Sequence, residues 1–253
     1  MAKCKICGGN CVARGGGRYE CDCCGNVSYI EEQPAPKKKE APSEDIGVDV
    51  FEKNINSVCE IVSGMGCGSG YLVDTEGTVI TNAHVVAKES GEPFSRCSVK
   101  IAGETVGADV VAVGTDDSSK HCTVLDLALL KLDRVPLNAK PVKFADFDNV
   151  RTGEKVYAVG NSLGRGTCIV GGIVSDKHRE SGLLMADCAT NPGNSGGPLF
   201  NAEGDVIATV VAGSRHPTEN YVVDGMRLTI PTPYVVKFIQ DVTNIVSVVK
   251  ATH

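Results

Sequence analysis

Residues 69–86, SGYLVDTEGTVITNAHVV, hold two apolar runs separated by a polar stretch, with His84 near the end of the second. Each run has the length and the Val, Ile, Thr and Tyr content of a β-strand, and Asp and Gly punctuate the join. The pattern extends both ways. VCEIVSG precedes these runs, and CSVKIAG, ADVVAVGT and LDLALLKLD follow. After a break near 136–150 comes a second set: EKVYAVGNS, GTCIVGGIVSD, GLLMADCA, GGPLFNAEGDVIATVVAG and MRLTIPT. Two sets of roughly six short strands predict an all-β body, a double six-stranded β-barrel with its halves at about 46–140 and 150–232. Beyond Pro233, the apolar residues Val235, Phe238, Ile239, Val242 and Val246 recur at helical spacing. They predict a C-terminal helix over 233–249 that docks by one face.

A second stretch, TNPGNSGGPLF (190–200), sets Ser195 among Gly193, Asn194, Gly196 and Gly197. Glycine loses much backbone freedom on folding, so a cluster of it implies conformations or close approaches that a Cβ would block. A nucleophilic serine needs a base in hydrogen-bond reach, and the base needs an orienting carboxylate. His121, His178 and His216 lie in polar, loop-like stretches and His253 is terminal, whereas His84 closes an apolar strand. Asp126 intrudes into the apolar run LDLALLKL (125–132). An unpaired carboxylate buried there is costly, and a histidine Nδ1–H would satisfy it. Asp116, Asp117 and Asp133 flank turns and are explained by solvent. The loop Gly193-Asn194-Ser195 then supplies an oxyanion hole, with the N–H groups of Gly193 and Ser195 aimed at the charge that acyl transfer develops.

With the order His84, Asp126, Ser195 in TNAHVV, DLALLKL and NPGNSGGPLFN, the chain resembles the chymotrypsin-like clan. GSGYLVDTEGTVITNAHVV, VGNSLG and GGIVSD are similar to the HtrA/Deg branch of trypsin-like serine proteases, over about 50–240. The resemblance implies a cleft between two barrels and a serine endopeptidase acting on unfolded or exposed polypeptide segments. It implies His84 as general base then acid, Asp126 as its orienter and Ser195 as nucleophile. It also implies a specificity pocket at Thr190, Ala212, Gly213 and Ser214, with relatives carrying bulky aliphatic residues at the positions of Thr190, Gly213 and Ser214. Small or polar residues there suggest cleavage after small or medium uncharged side chains, and Ala189 gives no reason for a basic preference. Relatives form trimers through the segment before the first strand, here IGVDVFEKNINSVCE (46–60), with Ile46, Val50 and Phe51 as candidate contacts. The PDZ domains common in the family are not expected, because the sequence ends at His253 after the helix. The competing reading is a catalytically silent protease fold that binds a partner.

The first 30 residues read differently. CKICG (4–8) and CDCCG (21–25) are two CxxCG knuckles, with 13 residues between Cys7 and Cys21. A two-residue gap lets one turn present two sulfurs, and Cys4, Cys7, Cys21 and Cys24 together make a tetrahedral Zn²⁺ set. The segment resembles a zinc ribbon on a β-hairpin, although Cys11 and Cys23 offer alternative ligands. So small a segment needs metal to fold. Residues 31–45, EEQPAPKKKEAPSED, read as a solvated linker before a protease domain at 46–253.

Composition narrows the function. Net charge is −6 and no long basic run is present, which argues against nucleic acid as a partner. The ribbon's side-chain charge of +2 falls to about zero with four thiolates and Zn²⁺, so a protein partner suits it better. No apolar run approaches the ~18 residues of a membrane span. MAKCKICGGNC lacks the apolar core of a secretory signal, which predicts a cytoplasmic location. The twelve cysteines then read as metal ligands or buried thiols. Cys59, Cys67, Cys97, Cys122, Cys168 and Cys188 are the six of the body, with Cys67 and Cys188 near the expected cleft.

Overall fold

The computed structural model describes residues 4, 6–14, 18–29, 45–64, 66–114, 125–211 and 227–251, with backbone only at 28–29 and 245–251. The linker up to residue 44, Cys122, His121, His216, His253 and Ala212, Gly213 and Ser214 lie outside the described residues. The chain divides into two compact units, 1–44 and 45–253.

In the first unit, β1 (Cys11–Ala13), β2 (Arg18–Cys21) and β3 (Val27–Tyr29) form a three-stranded sheet, one strand more than the expected hairpin. The two knuckles repeat one geometry. Gly8 N–H donates to Cys4 O at 3.0 Å and Gly25 N–H to Cys21 O at 2.9 Å. Both glycines have left-handed backbones, φ 73° and 68°, which close the turn at little steric cost. Among the described residues of this unit only Cys4 and Cys21 are buried, so an apolar core does not hold it together.

The second unit opens with a helix, α1 (Ile46–Asn54), where the sequence reading began a barrel. Ile46, Val50 and Phe51 share one face, and that face packs on the chain's own second half. Val50 is 1% exposed, in one cluster with Phe200 and Val206. Asn54 Nδ2 donates to Gly204 O at 3.1 Å, and Lys53 pairs with Asp205 at 3.1 Å. Val50, one of the three candidate trimer contacts, is therefore committed within the chain.

The first barrel contains β4 (Val58–Ser63), β5 (Gly66–Leu72), β6 (Thr78–Thr81), β7 (Arg96–Ile101), β8 (Glu104–Val113) and β9 (Ala128–Leu132). The second contains β10 (Lys155–Asn161), β11 (Thr167–Asp176), β12 (Leu184–Ala186), β13 (Pro198–Phe200), β14 (Val206–Val211) and β15 (Arg227–Pro231). Both are closed and antiparallel, with the same order: β4-β5-β6-β9-β8-β7 and β10-β11-β12-β15-β14-β13. Closure leaves no strand edge unpaired within either sheet. The period-2 pattern is plain in β7, where Cys97, Val99 and Ile101 point inward and Arg96, Ser98 and Lys100 outward.

Three apolar clusters follow. One fills the first barrel around Ile61, Leu72, Val79 and Leu130, and one fills the second around Val156, Leu184, Leu199 and Ile207. The third, with Tyr71, Ile80, Leu127, Val159, Phe200 and Ile230, welds the barrels together. Full burial of each such side chain contributes about 1.5–3 kcal/mol. Tyr71 Oη and Thr209 Oγ1, one from each barrel, are hydrogen-bonded at 2.7 Å. The last helix, α2 (Thr232–Ala251), takes Pro233 in its first turn, where a missing N–H costs nothing. Its Val235 is fully buried, with Phe238, Ile239 and Val242 half-buried beside it. No helix among the described residues is long and apolar enough to cross a membrane.

Candidate active site

Strand β6 ends at Thr81, and a single 3₁₀ turn, Ala83–Val86, swings the chain away from the first barrel. That turn carries His84, whose side chain is 48% exposed. Asp126 lies not within a strand but just before β9, because Leu127 N–H bonds back to Leu125 O at 2.7 Å and bends the chain out of the ladder. The bend buries Leu127 completely and leaves the Asp126 carboxylate at the surface of the junction, 17% exposed. Its Oδ2 meets His84 Nδ1 at 2.7 Å, and its Oδ1 accepts the His84 backbone N–H at 3.1 Å. Asn82, fully buried, donates through Nδ2 to the Asp126 carbonyl at 2.7 Å and braces the turn from behind.

Ser195 comes from the second barrel, in the loop between β12 and β13, and is 5% exposed. It lines a cavity of about 670 Å³ together with His84, Cys67, Pro192 and Gly193. His84 and Ser195 thus border one space, although they are 111 positions apart in the chain. Gly193 and Gly196 have φ 98° and 83°. A Cβ on Gly193 would run into Asn161 O, and one on Gly196 into Ser69 O and Thr81 Oγ1. The amide of Asn194 is committed to Asn191 O at 3.0 Å, so within the loop Gly193-Asn194-Ser195 it is not an oxyanion donor.

Thr190 is buried, and its carbonyl accepts from Arg227 Nε at 3.1 Å. Cys67 lines the cavity, as its place near the cleft suggested. Cys188 is instead buried in the second barrel, where burial and then Asp187 push its thiol up to about 12. His178 sits exposed at the end of β11, its N–H donating to Asp176 Oδ1 at 2.9 Å, away from the cavity. Sequence reasoning did not single out Asn82, Ser69 or Asn161. Their signal was a polar side chain within or at the end of an apolar strand, which is visible but does not name its partner.

In the first unit, the sulfurs of Cys4, Cys7, Cys21 and Cys24 lie within 4.8 Å of one another. Cys7 and Cys21 are 3.4 Å apart, Cys4 and Cys24 3.8 Å. Ligands at ~2.3 Å around a tetrahedral ion stand about 3.8 Å apart, so the set fits a metal ion of that geometry. Cys11 and Cys23 are not in the group. Hydrogen bonds from the Cys7 and Ile6 backbone hold the Cys4 thiol down to about 6. Crowding has the opposite effect on Cys24: against the pull of the Asn26 N–H, its sulfur neighbours push it up to about 12. Four sulfurs this close ionise together only around a cation.

Residues 68–208 match the trypsin-like peptidase domain family. The chain belongs to that family. This trypsin-like peptidase is 31% identical over 202 residues to a probable periplasmic serine endoprotease, DegP-like, of Rickettsia conorii, across 74% of this chain and 37% of that protein. With the protein of the same description from Pseudomonas fulva the identity is 38% over 146 residues, 55% of this chain and 28% of that one. Of solved structures, the HtrA-type protease AlgW with tripeptide is 29% identical with a TM-score of 0.62, over 77% of this chain and 62% of that one. The serine endoprotease from Yersinia pestis is 25% identical with a TM-score of 0.61, over 77% and 65%. The HtrA/Deg resemblance and the double barrel are borne out. The trypsin-like peptidase spans well under half the length of these curated relatives. The cytoplasmic location expected from MAKCKICGGNC is overturned, because these relatives are named periplasmic. A short stretch without an apolar core does not report the compartment. The metal reading of the N-terminal cysteines therefore rests on sulfur geometry rather than on a reducing environment.

Proposed function

We propose that residues 46–253 are a serine endopeptidase that cleaves unfolded or exposed polypeptide segments. The observation that carries this reading is the 2.7 Å His84–Asp126 contact on the rim of a cavity that Ser195 and Gly193 also line. Asp126 accepts from Nδ1–H, which leaves Nε2 as the basic nitrogen. Ser195 Oγ attacks the substrate carbonyl carbon while Nε2 takes its proton. The N–H groups of Gly193 and Ser195 receive the oxyanion. Collapse breaks the C–N bond, and the imidazolium returns the proton to the departing amine. Water then repeats the sequence on the acyl-enzyme, with His84 again the base.

A fluorophosphonate probe tests the reading. It labels the folded wild type and leaves Ser195→Ala unlabelled; a folded wild type that resists the probe overturns the reading. Within it, Thr190 with Ala212, Gly213 and Ser214 forms a specificity pocket for small or medium uncharged side chains. A peptide-library profile dominated by arginine or lysine contradicts that pocket.

We assign residues 1–30 as a zinc ribbon with Zn²⁺ on Cys4, Cys7, Cys21 and Cys24, joined through a linker at 31–45. The near tetrahedral spacing of the sulfurs supports this, and elemental analysis finding one zinc per chain, lost on Cys7→Ser, tests it. The ribbon serves a protein partner or restrains the protease, and its deletion then raises or redirects proteolysis. A homotrimer of the kind the resemblance implies would draw on Val48, half-exposed on α1, rather than Val50. Sedimentation at micromolar concentration decides that.

A further inference from the structure

We propose that Ser69 is a positioning residue that sets the oxyanion-binding amides from the opposite barrel; this rests on the serine-peptidase reading. Ser69 lies on β5, is fully buried, and has every polar group engaged. Its N–H donates to Ser195 O at 2.8 Å, and its carbonyl accepts from Thr81 Oγ1 at 2.7 Å. Its hydroxyl accepts the Asn161 N–H at 2.8 Å and meets Gly193 O at 2.6 Å. A backbone amide can only donate and a carbonyl only accept, so the hydroxyl proton must point at Gly193. One side chain of the first barrel thereby grips the second barrel at the end of β10 and, through main chain and side chain together, at both Gly193 and Ser195.

The consequence follows from peptide planarity, which sets C=O and N–H on opposite sides. Gly193 C=O is tied to Ser69, and on the far side of that plane Asn194 N–H is tied to Asn191 O. In the preceding peptide, Leu163 N–H holds Pro192 C=O at 2.7 Å, which turns Gly193 N–H the other way. In the following one, Gly197 N–H holds Asn194 C=O at 3.0 Å, which turns Ser195 N–H away from it. Gly193 is the least restrained residue of this series, having no Cβ and φ 98°, and the Ser69 hydroxyl is the group that pins its carbonyl. The neighbouring glycines make room for the same contact. A Cβ at Gly160 would stand 2.6 Å from Ser69 Oγ, and one at Gly197 would stand 3.1 Å from Ser69 Cβ.

Wild type, Ser69→Ala, Ser69→Cys and Tyr71→Phe are compared by fluorophosphonate labelling, peptide turnover, thermal melting and inhibition by a peptidyl boronic acid. The boronate forms a tetrahedral adduct that uses the oxyanion site. Ser69→Ala is expected to lower kcat about 10- to 100-fold with KM within about twofold, and to weaken the boronate in parallel. Ser69→Cys, with a weaker donor, falls between. Tyr71→Phe also loses a buried hydrogen bond and controls for stability, with melting lowered and kcat unchanged. A folded Ser69→Ala with wild-type kcat, or with a rise in KM alone, overturns the inference, as does a boronate affinity that does not follow kcat. Should Ser69→Ala fail to fold, wild-type kcat in Ser69→Cys overturns it equally. Failure of the wild type itself to label or turn over removes the serine-peptidase reading instead, so the two failures are distinct.

Discussion

Asp126 grips His84 twice, at Nδ1 and at the backbone N–H, so ring orientation and turn geometry depend on one carboxylate. Asp126→Asn keeps the size but sets an NH₂ group where an acceptor is needed, which favours the wrong tautomer. Turnover is expected to drop about 10⁴-fold while the melting temperature changes little; retention of most activity would contradict the role given to Asp126. The body cysteines differ just as locally. Burial pushes Cys97 up to about 11 and Cys188 up to about 12, and raises the fully buried Cys59 still further. Cys67 is exposed on the cavity wall. Maleimide at pH 7.5 followed by mass spectrometry is expected to modify Cys67 in the folded body, and Cys59, Cys97 and Cys188 only after unfolding. Cys67 was legible as a residue near the cleft, whereas the burial of Cys188 depends on which way its loop turns.

At the scale of elements, α1 is held to the second barrel by charge as well as by Val50. Burial alone would raise the Asp205 carboxyl, but Lys143 and Lys53, bonded to it at 2.6 and 3.1 Å, outweigh that and hold it below the ordinary carboxylate range. A depressed folded pKa contributes stability that is complete above the unfolded value, about 3.9, and disappears as pH falls through the folded value. Asp205→Asn is therefore expected to cost about 1–2 kcal/mol at pH 7, or roughly 2–8 °C in melting temperature. The difference from wild type should shrink on acidification below pH 4; a constant offset across the titration would contradict the pairing. The sequence pattern located most strands because alternation along β7 and its neighbours is local. It assigned no helix to 46–54, the segment before the first strand, because a single apolar face of nine residues is too short to declare a helix before its docking partner is known.

At the scale of the molecule, the two units depend on different forces. The body buries three apolar clusters, whereas the described part of residues 1–44 buries only two cysteines. A strong chelator is expected to abolish the dispersed amide spectrum of the first unit and to leave the melting of the body in place. Loss of both together, or of neither, would contradict the division. The residue pattern alone carried the two sets of about six strands in the body, the CxxCG pairs and the candidacy of His84, Asp126 and Ser195, since hydrophobic period, turn residues and ligand spacing are properties of short stretches. Closure of each barrel in the same strand order, with no visible repeat in the chain, emerged only in three dimensions. So did the bend that frees Asp126 from β9 and the hydroxyl of Ser69 reaching Gly193. The His84–Asp126 and Ser69–Gly193 contacts join residues 42 and 124 positions apart, and no local preference encodes a partner at that distance. Burial of shared apolar surface brings the two barrels together, and the polar groups caught at their junction must then find one another.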